Sequence, residues 1–141
     1  MPGALYATFI LSSIVLIAVG IPMGMGKIKQ NNWYGVRLPI TYKSVAAWDA
    51  ANIQYGWWLV AGGLMSALVL LVGWVSAAPP GGLIAVYVIV MVIPLLGGIV
   101  PSVIAAYKAQ ARVEKLEQEQ AGAGEEPQAD EDRDELPSQF R

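Results

Sequence analysis

Three stretches of this chain, from about Ala4 to Gly26, Trp57 to Ala77 and Leu83 to Ala106, contain no Asp, Glu, Lys or Arg. A helix needs roughly 20 mainly apolar residues to cross a hydrocarbon core about 30 Å thick, and each stretch is long enough. Three such runs in 141 residues leave almost no polar face to turn toward water. The expectation is an all-α membrane protein with three transmembrane helices, because a lone segment in lipid must satisfy its own backbone hydrogen bonds. The composition agrees, with 55% hydrophobic residues, 14% charged residues and a mean hydropathy of +0.49. The first run lacks the charged start and the small-residue cleavage site of a signal peptide, so it is read as a mature span.

Charge sets the expected topology. Lys27, Lys29, Arg37 and Lys43 lie between the first two runs, and Lys108, Arg112 and Lys115 follow the third. Lys and Arg in short loops stay on the cytoplasmic side, and three spans put both groups on one side. The N-terminus and the uncharged turn "AAPPGG" (77–82) are therefore expected outside, and the long loop and C-terminal tail inside. Asp49 is the single acid before Glu114, so the net charge of −2 describes the tail and not the body. Arg37 or Lys43 is expected to pair with Asp49.

Within the spans, Gly20, Gly24, Gly62, Ser66, Gly97 and Gly98 are read as close-packing positions inside the three-helix unit. Pro22, Pro94 and Pro101 are expected to kink or open their helices.

Residues 27–56 are far more chain than a turn requires, and connections of this length are usually functional or disordered. The stretch from Trp33 to Trp58 holds Trp33, Tyr34, Tyr42, Trp48, Tyr55, Trp57 and Trp58, more than half of the aromatic residues. Such rings favour the headgroup region, so the loop is expected to be an ordered structure at the interface. Its second half, "TYKSVAAWDAANIQYG" (41–56), predicts an amphipathic interfacial helix capped at Thr41 or Ser44, with a stop or hinge at Gly56. Val45, Trp48, Asn52 and Tyr55 share one face, with Trp48 as anchor. An asparagine on that face needs partners, so Asn52 is expected to bond to backbone or to the first half of the loop. Gly35 is expected in a conformation closed to other residues or at a close approach. Arg37 presents a planar donor fork for carboxylate, phosphate or carbonyl groups.

The pattern Asn32, Tyr34, Gly35, Arg37, Pro39, Thr41, Trp48 and Asn52 resembles the signature of the SdpI family of bacterial integral membrane proteins. The likeness covers residues 32–52 as motif and roughly 5–107 as arrangement of spans. It implies a polytopic membrane protein acting in immunity to a secreted toxic peptide, or in signalling by holding a transcriptional repressor at the membrane. The family's named member has six spans, and this chain corresponds to the half that carries the motif.

After the third span, "YKAQARVEKLEQEQ" is rich in helix formers, and 108–120 is expected to extend that helix into the cytoplasm. Residues 121–141 have the acidity and low hydrophobicity of a disordered tail. The chain has no histidine and no cysteine, and no acid lies within a span, so an enzyme, a metal site and a cofactor are not expected. The cations are too spread out for nucleic acid. Hydroxyls alone (Thr8, Ser12, Ser13, Ser66, Ser76, Ser102) sit near bilayer depth, which argues against a transporter. The expected partners are the lipid bilayer and a peptide toxin or a membrane or regulatory protein, with a homo-oligomer left open. A small accessory or scaffold subunit of a larger membrane complex is the other reading.

Overall fold

The computed structural model describes residues 2–77 and 79–124. Helix α1 runs Pro2–Gly24, a 3-10 turn spans Pro39–Tyr42, and α2, α3 and α4 cover Val45–Val75, Pro80–Gly97 and Ile99–Gly124. No strand occurs among the described residues. Three helical segments are long and apolar enough to cross a membrane: α1, α2, and α3 together with α4.

Helix α2 is the hub, packing against α1, α3, α4 and the 3-10 turn. Its N-cap is Ser44, whose hydroxyl accepts from the Ala47 N–H at 3.2 Å. The helix then runs through Gly56 without a break. The expected interfacial helix and the second span are thus one 31-residue rod, and Gly56 is neither stop nor hinge. Its role is a close crossing with α1. A β-carbon at Gly56 would lie 2.2 Å from the Gly24 nitrogen and 2.8 Å from the Gly20 carbonyl oxygen. The small residues of "GIPMG" (20–24) let two backbones touch there, which is packing within the unit, as expected.

The hydrocarbon slab can be located on α2. Trp57 and Trp74 are 52% and 72% exposed and 17 positions apart in sequence, or about 26 Å along a helix. That is close to a bilayer core of about 30 Å with an aromatic residue at each boundary. Tyr6 of α1 meets Trp74 edge-on at 5.7 Å, marking the same boundary. The first 12 residues of α2, Val45–Gly56, therefore project about 18 Å past the slab.

Near the opposite boundary the spans are joined by one buried polar knot. The Tyr87 hydroxyl donates to the Phe9 carbonyl at 2.7 Å, the Ser13 hydroxyl lies 3.1 Å from both, and the Phe9 and Tyr87 rings stack at 4.3 Å.

Of the three prolines, Pro22 and Pro94 stay inside continuous helices, and the one interruption falls at Gly98, between α3 and α4. Pro101 has no N–H for the Gly97 carbonyl and its ring crowds that group, so the ladder opens there and resumes with Ser102 N–H to Gly98 O at 3.3 Å. Helix α4 then continues to Gly124, four residues beyond the expected end of the extension. Residues 121–124 are helical, and the rest of the expected disordered tail lies outside the described residues.

Candidate functional site

The candidate site is the cap that residues 25–44 build on the projecting end of α2. Helix α1 ends with Gly26 N–H to Met23 O at 2.9 Å and Lys27 N–H to Pro22 O at 3.0 Å, a Schellman closure that turns the chain toward α2. The next contact is with Trp48, whose indole N–H donates to the Ile28 carbonyl at 2.9 Å. Trp48 is fully buried. It was expected as an interfacial anchor, and it is instead the core of the cap, with Tyr42 tilted against it at 5.7 Å.

Asn31 makes the following turn. Its side-chain oxygen accepts the backbone N–H groups of Trp33 and Tyr34, both at 2.8 Å, and its amide donates to Lys29 O at 2.7 Å. The motif that starts at Asn32 leaves this asparagine out. Its signal was present, because asparagine bonding backbone two residues ahead is a common turn device. Tyr34 then dips beside α1 and donates its hydroxyl to the Val19 carbonyl. Burial raises this phenol above its ordinary 10.0, so it keeps the proton it donates.

Gly35 and Asn52 form the centre. Gly35 has φ +110°, a region that side chains rarely adopt, and a β-carbon there would stand 2.3 Å from the Asn52 side-chain oxygen. That oxygen accepts the Val36 N–H at 2.7 Å, and the Asn52 amide donates to the Trp48 carbonyl at 2.9 Å. Both expectations for these residues hold, and they turn out to be one interaction. Thr41, buried in the 3-10 turn that Pro39 opens, accepts the Leu38 N–H at 3.0 Å. Its hydroxyl proton is within reach of Val36 O at 3.1 Å or Leu38 O at 2.9 Å. Ile40, Ala47, Ala51 and Ala106 close the apolar side, so α4 supports the cap as well.

The motif therefore divides. Thr41, Trp48 and Asn52 are buried, Tyr34 and Gly35 are half-buried, and Asn32, Arg37 and Pro39 are exposed. On the expected helix face Val45 is exposed, and Tyr55 reaches α3 to donate to Leu95 O at 2.9 Å. Arg37 does not pair with Asp49 among the described residues. Its guanidinium folds back to the carbonyl of Asn32.

A family model matches residues 27–101, which takes in all but the first two residues of the cap, together with α2 and α3. The chain belongs to the SdpI/YfhL protein family. Among curated proteins and among solved structures, no match was found. Every motif residue of this SdpI-family chain falls inside the matched region, which ends at Pro101, just past the α3–α4 break. The Tyr34 contact with Val19 and the Gly20 and Gly24 crossing reach back into α1, before that region.

Proposed function

We propose that this SdpI-family membrane protein uses its cap to bind a membrane-active peptide or a regulatory protein, in immunity to the peptide or in envelope signalling. The observation that carries the reading is the division of the motif into a buried frame and an exposed rim of Asn32, Arg37 and Pro39. A rim held by buried hydrogen bonds gives up little conformational freedom when a partner binds, which favours recognition. The family resemblance supplies the two biological roles. The setting we propose is a bacterial inner membrane, as the family resemblance implies, with the N-terminus outside and the cap and tail cytoplasmic, on the strength of the Lys and Arg distribution. The reading is non-enzymatic, since a chain without histidine or cysteine has few groups suited to acid–base or nucleophilic chemistry.

A second reading, an accessory subunit of a larger complex, draws on the 17 residues of α4 beyond Tyr107, with Leu116 exposed on them. Two experiments separate the readings. Deleting the gene and challenging cells with membrane-active peptides should raise sensitivity, with rescue by the wild type and not by Arg37→Ala at matched membrane levels. Unchanged sensitivity, together with copurification of a large stable assembly in mild detergent, would replace the first reading with the second.

A further inference from the structure

Trp33 is 91% exposed, more than any other large apolar side chain described. The depth at which it sits follows from its neighbour. Tyr34 delivers its hydroxyl to Val19, five residues before the end of α1, or about 7 Å back along the helix. Gly20, the residue after Val19, packs against Gly56 and Val60, so this contact lies within a turn of Trp57 and the slab boundary. On the other side, Val36 is bonded to Asn52, one turn outward from Gly56. The backbone of residues 33–36 is thus held between these two levels, in the headgroup layer, and Trp33 projects from it almost uncovered by the described residues.

Arg37 belongs to the same corner. Its guanidinium bonds the carbonyl of Asn32, the group joined directly to the Trp33 nitrogen. Guanidinium carries five N–H donors, and Arg37 is exposed, so the fork remains open on its outer side. Lys29 adjoins through its carbonyl bond to Asn31. Over residues 27–56 there are four cations (Lys27, Lys29, Arg37, Lys43) against one acid, Asp49. A rigid corner at headgroup depth, with a bare indole on the residue next to the carbonyl that the guanidinium bonds, in a loop that carries four cations and one acid, matches one chemistry. The indole suits the carbonyl and upper acyl region, and the fork suits a phosphate with no choline-like cation competing for it.

We propose that Trp33 and Arg37 form a docking site for the headgroup of an anionic phospholipid, which seats the cap on the bilayer surface. This goes beyond the partner reading above and does not depend on it, because it concerns purified protein and lipid alone.

The test uses the full chain in mixed micelles with equal amounts of phosphatidylglycerol and phosphatidylcholine, and counts retained lipids by native mass spectrometry. Wild type should retain phosphatidylglycerol preferentially. Arg37→Gln should lower that preference about fivefold, the equivalent of roughly 1 kcal/mol for one cation at an anionic surface. Arg112→Gln, further out on α4, should leave it unchanged. A preference that survives Arg37→Gln, or that Arg112→Gln reduces equally, overturns the proposal in favour of diffuse attraction. A second measurement leaves Arg37 untouched, so loop misfolding in that variant cannot decide the outcome. In bilayers of lipids brominated near the glycerol end, Trp33→Phe should remove a strongly quenched part of the tryptophan emission. An unchanged quenched fraction means that Trp33 does not reach the headgroup layer, and the proposal falls.

Discussion

The tightest contact in the cap, between Gly35 and Asn52, makes a prediction that separates steric from polar effects. Asn52→Ala removes the acceptor from Val36 N–H at 2.7 Å and the donor to Trp48 O at 2.9 Å. Leaving one partly buried N–H unpaired and losing one further bond together destabilise by about 2–4 kcal/mol. Gly35→Ala acts by a different route. Its φ of +110° strains any side chain, by about 1–2 kcal/mol. The new methyl group would also sit 2.3 Å from the Asn52 oxygen, an overpacking of about 1–3 kcal/mol. Combined, the two changes should cost less than their sum by about 1–3 kcal/mol, because with alanine at 52 the methyl no longer meets the amide. The backbone strain at 35 remains, so the double variant stays well below wild type. The assay is reversible unfolding of the full chain in mixed micelles with rising dodecyl sulfate, followed by tryptophan fluorescence, for all four members of the cycle. Additivity within about 0.5 kcal/mol would show that residues 35 and 52 are not in contact and would refute the cap geometry.

Other positions give independent checks. Gly56→Val should push α1 from α2, because the atoms in its way are α1 backbone and the Met23 β-carbon fixed to it, and should lower stability by about 2 kcal/mol or more; Gly81→Ala, with nothing within 4 Å, should behave as wild type in the same unfolding assay. Trp48→Phe loses the bond to Ile28 O and should destabilise by about 1–2 kcal/mol. Trp48→Ala also empties the core and should remove about 3–5 kcal/mol, lowering membrane abundance far more than charge reversal within residues 130–135. Tyr34 gives a pH dependence. Its folded-state value lies above the ordinary 10.0, so its stabilisation is complete below that pH and is lost as pH rises through the higher value. Stability measured across the alkaline range should fall in wild type, and Tyr34→Phe, itself weaker by about 1 kcal/mol, should lack that part of the fall.

The membrane architecture was legible because a bilayer reads sequence in one dimension. Run length and the absence of charge decide whether a segment can span, and the run at 83–106 falls within a spanning helical segment, while those at 4–26 and 57–77 each overrun theirs by two residues. The family signature was equally local, since its residues lie within 21 positions. The partners of Asn52 and the strain at Gly35 were readable in outline, because a buried amide and a lone glycine each state a need before the structure shows how it is met.

The roles of residues in contact across the fold were settled only by tertiary structure. Gly56 has the same propensity to end a helix wherever it stands, and only the approach of Gly20 and Gly24 from α1 makes it a crossing point within a continuous α2. Trp48 looks like an anchor on a helical wheel, yet burial depends on what the loop folds over it, and Ile28 with Tyr42 turned it inward. Arg37 had Asp49 as its nearest opposite charge in sequence, but the turn held by Asn31 placed the Asn32 carbonyl closer. Propensity, charge and hydropathy belong to single residues and their neighbours along the chain, whereas contact depends on where distant segments meet.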